Sequence, residues 1–199
     1  IINMNSFRYQ IGQQKEIEIK NLNQYFVAAG RLTKQKNFTY LIDEFESFLK
    51  DYPNNTLLIF GEGEQRKKLE KKINSLKLNK KVVLMGFNKN IYSYMKKAKA
   101  FVLSSLWEDP GFVIVEAALS NLFVISSDCK NGPKEFLLNG KAGLLYSSDK
   151  KNKLKETLNL FEKMKLSQIS SMKLEAKRNC LKYTLFRHYI FLKKILNSN

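Results

Sequence analysis

Histidine and cysteine are almost missing from this sequence of 199 residues: His188 stands alone, and the only thiols are Cys129 and Cys180. One imidazole is a poor start for a zinc site or a Ser-His-Asp triad, and the two cysteines lack metal-ligand spacing. So few thiols fit a reduced, cytoplasmic protein. Cys129 reads as a loop thiol, and Cys180 as a packing residue on a helix. No apolar run reaches about eighteen residues, so no membrane-spanning helix is expected. The opening Ile1-Ile2-Asn3-Met4-Asn5 lacks the charged-then-apolar pattern of a signal peptide. Internal repeats, low-complexity tracts and hairpin signals are absent as well.

Acidic residues are scarce beside basic ones: 18 Asp and Glu face 35 Lys and Arg, a formal charge of +17. Such an excess speaks to partners and solubility rather than fold. Arg66-Lys67-Lys68, Lys71-Lys72 and Lys80-Lys81 are spread over several elements and seldom interleave with aromatics. That distribution argues against a nucleic-acid module and leaves solvated faces, or attraction to an anionic membrane surface. Lysine and asparagine abound throughout, as an AT-rich genome gives.

What is present is an alternation. Residues 1–24 are polar and irregular and read as an entering linker. Strands are expected at Tyr25–Ala29, Thr56–Phe60, Val82–Met85, 100–103, Phe123–Ser126 and Gly143–Tyr146. Helices are expected at Phe38–Tyr52, where Phe38, Leu41, Ile42, Phe45, Phe48 and Leu49 form one apolar face, and at 64–76, 91–97 and 112–120. Another starts at Gly132-Pro133 and ends near Asn139-Gly140, and Asn121 is expected as a helix C-cap. From Lys150 onward the pattern is helical. Short apolar strands alternating with helices predict an α/β, Rossmann-like doubly wound parallel sheet of about six strands. It occupies residues 25–180, followed by a terminal helix over 181–199 whose aromatics either pack in the core or cross to another domain.

Four glycine-bearing turns follow consecutive strands: Gly30-Arg31, Gly61-Glu62-Gly63, Gly86-Phe87 and the Glu108–Gly111 loop. In an open α/β sheet all of them face the crevice at the carboxyl ends of the strands. Glycine there permits positive φ and close approach of backbone to a ligand. Singly each reads as well as a tight turn, because Gly61-Glu62-Gly63 lacks the third glycine of a dinucleotide fingerprint. Arg31 and Lys36 follow the first strand and suit an anion, one as a fork and one as a point charge. Glu108 leaves the fourth strand, and Glu116 lies two turns into the following helix. The start of that helix, at Gly111 and Phe112, offers free N–H groups to a phosphate. A carboxylate on either side of a phosphate-binding turn suits a sugar nucleotide.

In this order the motifs resemble the donor-binding C-terminal domain of retaining glycosyltransferases of family 4 (glycosyl transferases group 1), which adopt the two-domain B-type glycosyltransferase fold. The matching stretches are Gly30-Arg31-Leu32 with Lys36-Asn37-Phe38, Leu58–Gly63, Val83–Phe87 and Ser105–Glu108. Gly111, Glu116-Ala117 and Gly132–Glu135 through Leu145 follow. The resemblance implies that Arg31 and Lys36 hold the donor diphosphate and that Gly111 and Phe112 meet its distal phosphate through backbone N–H. It implies that Glu108 lies by the transferred sugar, that Glu116 binds the ribose, and that Phe87 and Asn88 lie beside the base, with Gly30, Gly61 and Gly63 in the phosphate-binding turns.

It further implies transfer of a sugar from a UDP- or GDP-sugar to a glycan or lipid-linked acceptor, in bacterial surface polysaccharide synthesis. The setting is the cytoplasm or the inner face of the plasma membrane. Asp43, Asp51, Asp109, Asp128 and Asp149 never form the Asp-x-Asp clamp of the other main glycosyltransferase fold, so neither metal nor cofactor is expected. Ser104-Ser105 and Asn121-Leu122-Phe123 depart from the family's Pro-Ser and Gly-x-Pro, and Asp109-Pro110 departs beside the sugar position. Residues 1–24 are too short to form the acceptor-binding N-terminal domain, so the chain alone is expected to be inactive. A nucleotide-sugar 2-epimerase, a non-catalytic nucleotide-sugar-binding remnant and a basic nucleic-acid-binding module remain as alternatives.

Overall fold

Tyr25–Ala29 is wholly apolar, and such a run belongs in the middle of a sheet covered on both faces. In the computed structural model, which describes residues 24–109, 111–148, 150–183 and 193, it forms β1 with all five residues buried. The other strands are β2 (Thr56–Phe60), β3 (Val82–Gly86), β4 (Ala100–Leu103), β5 (Phe123–Ser127) and β6 (Leu144–Tyr146). All pair in parallel, in the order β3-β2-β1-β4-β5-β6. This is the expected Rossmann-like doubly wound sheet, and its order reverses between β1 and β4.

Side chains alternate across the sheet with the strand period of two. Phe26 and Ala28 face one core with Ala100 and Val102; Tyr25, Val27 and Ala29 face the other with Phe101 and Leu103. The first core is covered by α1 (Phe38–Leu49), α2 (Arg66–Ser75) and α6 (Lys153–Lys163). Its centre is aromatic: Phe26 meets Phe45, Phe48 and Phe161 edge-on at 5.7–5.9 Å. The second is covered by α3 (Ile91–Lys97), α4 (Phe112–Leu119), α5 (Pro133–Phe136) and α7 (Leu166–Cys180).

Local chemistry explains where these elements differ from expectation. The helix opened by Pro133 stops at Phe136, because Leu138 and Asn139 turn left-handed at φ 52° and 53° within the short turn Leu138–Gly140 that follows. Asn121 is left-handed at φ 60°, one residue beyond the C-cap Ser120 of α4, and asparagine tolerates that region. The helical stretch after Lys150 divides into α6 and α7 where Met164 and Lys165 are extended. Glu44, 5% exposed in the middle of α1, is not a surface carboxylate. It accepts the N–H of Asn152 at 2.9 Å and of Lys155 at 3.1 Å, capping α6 from a distant element. Residues 1–23 and most of the expected terminal helix, with His188, lie outside the described residues.

Candidate functional site

The strand order brings the loops after β1 and β4 together, although they are far apart in sequence. Lys36 closes a 3-10 turn, Lys34–Lys36, directly before α1. Asn37 follows at φ 52°, a left-handed residue that ends the turn and starts the helix. Ser104 Oγ donates to Lys36 O at 2.7 Å, Leu106 N to Gln35 O at 2.8 Å, and Gln35 Nε2 to Trp107 O at 2.9 Å. The two loops are thus stitched together beneath the side chains they present.

Those side chains meet. Lys36 Nζ donates to both carboxylate oxygens of Glu108, at 2.6 and 2.8 Å, with 14% and 4% of the two side chains exposed. Ser105 Oγ donates a short hydrogen bond to Glu108 Oε1, and Ser127 Oγ fixes Ser105 through its carbonyl at 2.7 Å. Trp107 forms a parallel bridge to Lys130, and Glu108 N donates to Lys130 O at 3.1 Å, so the segment after β5 braces the loop from its other side. Gly111 enters α4 at φ 71°, and a Cβ there would lie 3.1 Å from Glu108 Cγ. No side chain caps α4, and its first turn carries no acid. Phe112 is its first residue.

Beside this pair lies an open cavity of about 500 Å³ lined by Ala29, Gly30, Arg31, Phe60, Gly61, Glu62, Phe87, Asn88 and Ile91. Phe87 is 76% exposed, and Arg31 is exposed on the wall. Asn88 Oδ1 accepts the N–H of Asn90 at 2.7 Å, which fixes the turn after β3. Glu116, half-buried on α4, has its carboxyl held above the usual carboxylate range by burial. Burial first, and the charge of Glu116 on α4 second, push the phenol of Tyr92 on α3 up to about 12. The arrangement offers a partly apolar slot, a guanidinium, an open helix N-terminus and two carboxylates.

Gly30, Gly61, Gly86 and Gly111 take positive φ, at 156°, 130°, 71° and 71°, as expected of these turns. A Cβ on Gly61 would sit 2.0 Å from Gly30 O, so glycine here lets two turns that line the cavity pack against each other. Gly63 likewise abuts the Leu32 backbone, at 2.6–2.8 Å. Glu62, whose carboxylate binds Arg66 at 2.7 Å, lines the cavity, and Ser105 holds Glu108. Neither stood out in the sequence as a site residue, although both lie inside the motifs quoted. Cys129 lies in the loop after β5, as expected, and is buried there; burial pushes its thiol up, with Ser127, Glu108 and Lys36 nearby. Cys180 packs inside α7, as its helical position suggested. Among the described residues no group of three or more His, Cys, Asp or Glu is placed to hold a metal, and no helix is long and apolar enough to cross a membrane.

Comparison with known proteins matches residues 11–179 to the family described as "Glycosyl transferases group 1". An uncharacterized glycosyltransferase of Methanocaldococcus jannaschii is 46% identical over 56% of this chain and 28% of its own length. The N-acetylgalactosamine-N,N'-diacetylbacillosaminyl-diphospho-undecaprenol 4-alpha-N-acetylgalactosaminyltransferase of Campylobacter jejuni is 31% identical over 88% of this chain and 50% of its own length. The chain therefore spans half or less of these relatives. Among solved structures, Anabaena HepE in complex with UDP-glucose superposes over 100% of this chain and 54% of its own, with a TM-score of 0.78 at 22% identity.

Proposed function

The chain belongs to the group 1 glycosyl transferases, and from that membership we propose that it is the donor-binding half of a retaining, metal-independent family 4 glycosyltransferase. It carries a UDP- or GDP-sugar, and the transferred sugar goes to a glycan or lipid-linked acceptor held by an N-terminal domain. The observation that carries this reading is convergence. Arg31 lines the 500 Å³ cavity, and the adjoining loops that leave the carboxyl ends of β1 and β4 carry the paired Lys36 and Glu108 and lead into the open N-terminus of α4.

Each group has a role in the proposal. Phe87 and Asn88 flank the base, and Glu116 accepts hydrogen bonds from the ribose. Arg31, Lys36 and the N–H groups of Gly111 and Phe112 stabilise the departing diphosphate, supplying in protein charge what a metal supplies elsewhere. Gly30, Gly61 and Gly63 shape the turns around it. Glu108 orients the sugar. The leaving phosphate assists deprotonation of the acceptor on the face it leaves, which retains configuration.

The Campylobacter relative's name specifies an undecaprenyl diphosphate acceptor. A similar acceptor here places the work in surface polysaccharide synthesis, on the cytoplasmic face of a membrane whose anionic lipids attract the +17 chain.

Transfer requires the acceptor hydroxyl within about 3–3.5 Å of the anomeric carbon with water excluded. The proposal therefore expects the 199-residue chain to bind donor and to transfer no sugar. A fusion to an N-terminal acceptor domain should restore transfer, and Glu108→Ala in the fusion should abolish most turnover without weakening nucleotide binding. Transfer by the chain alone, lost in Glu108→Ala, would overturn the division of labour.

A further inference from the structure

We infer that Glu108 sets donor affinity by competing with the donor's diphosphate for Lys36, an inference that rests on the donor-site reading above. An ammonium has three N–H donors, and Lys36 directs two hydrogen bonds onto the carboxylate of Glu108. The pair is nearly sealed from water. Arg31, by contrast, is exposed and makes no ion pair with a described residue. One cation of the diphosphate site is open to an incoming anion, and the other is already occupied by a protein anion.

Geometry keeps it there. The Lys36 stem crosses Gly30, with Cε 2.9 Å from where a Cβ would stand, and the Glu108 stem lies over Gly111. Both backbones are fixed by the hydrogen bonds between their loops, so exchange is confined to the side chains. A diphosphate reaching Lys36 leaves Glu108 with the Ser105 hydroxyl as its remaining side-chain donor. A buried carboxylate with one neutral donor is poorly compensated. The hydroxyls of a donor sugar can make up that loss, whereas a nucleoside diphosphate without sugar cannot. Binding is then an exchange: phosphate replaces Glu108 on Lys36, and sugar hydroxyls replace Lys36 on Glu108.

The test is calorimetric titration of UDP and of UDP-sugars into the wild-type chain, Glu108→Gln, Lys36→Met and the double variant. Glu108→Gln should tighten UDP by about three- to tenfold, the scale of a partly buried ion pair. It should tighten a UDP-sugar less, because that ligand satisfies Glu108. In the Lys36→Met background the gain should vanish, the coupling a double-mutant cycle isolates.

Unchanged or weaker UDP binding in Glu108→Gln would overturn the inference, since Glu108 would then be preorganising Lys36. A gain that persists in Lys36→Met would overturn it as well, as a bulk-charge effect. The wild-type chain gives a check that does not depend on a folded variant: the Lys36 side-chain ammonium signal in NMR must move when UDP is added, and an unmoved signal in the UDP complex would contradict the exchange. Arg31-dependent UDP binding by wild type upholds the donor site whatever Glu108→Gln does. Absence of UDP binding in wild type and Glu108→Gln alike overturns both.

Discussion

At the scale of single residues, the site is defined by what each charged group already has as a partner. Arg31 stands open at the cavity wall, so in the proposed complex its guanidinium would meet the donor phosphate without first breaking an ion pair. Arg31→Ala should weaken UDP binding by about 1.5–3 kcal/mol, the worth of charge-assisted hydrogen bonds, measured by calorimetry. Glu116→Ala should weaken UDP more than a ribose-free diphosphate, and equal losses for the two ligands would remove the ribose role.

Glu116 also has a pH signature. Its folded pKa is raised by burial, so the native state holds that proton more tightly than the unfolded chain does. Its contribution to stability is full below the unfolded value of about 4.3 and is lost as pH rises through the folded value. Glu116→Gln should therefore raise the neutral-pH Tm of the ligand-free chain, with the gain disappearing below about pH 4. An equal shift at both pH values would mean that packing, not ionisation, is responsible.

At the scale of elements, stability and site geometry rest on contacts between distant segments. Glu44 caps α6 from α1, and Glu44→Ala should destabilise the fold by about 1–2 kcal/mol in denaturant titration, as loss of a cap does. The sequence made β1, β2 and β4 legible to the residue, because uninterrupted apolar runs between turn residues have one physical reading. Glu44 was not legible, since a glutamate on a helix looks solvated until the element it caps is in place. The pairing of Lys36 with Glu108 spans 72 residues and depends on β4 lying beside β1, which strand spacing does not encode. The glycine turns were visible as turns. That Gly61 must be glycine to clear the Gly30 backbone follows only from how closely β1 and β2 bring their ends together.

At the scale of the whole molecule, the chain is one doubly wound sheet with its candidate site at one end, and it spans half or less of the curated relatives. Because the proposed site supplies its own positive charge, EDTA should leave nucleotide affinity unchanged to within about twofold. A large gain on adding magnesium or manganese would show that Arg31, Lys36 and the α4 N-terminus are insufficient. The central claim, that a nucleotide sugar binds across the ends of β1 and β4, is tested most directly by NMR titration of the isotope-labelled chain with UDP-, GDP- and ADP-sugars. The account predicts saturable binding of a UDP- or GDP-sugar, with backbone shifts concentrated at Gly30, Arg31, Gly61, Phe87, Gly111 and Phe112 and lost in Arg31→Ala. Shifts confined to the opposite end of the sheet, or no binding to any member of the panel, would contradict it.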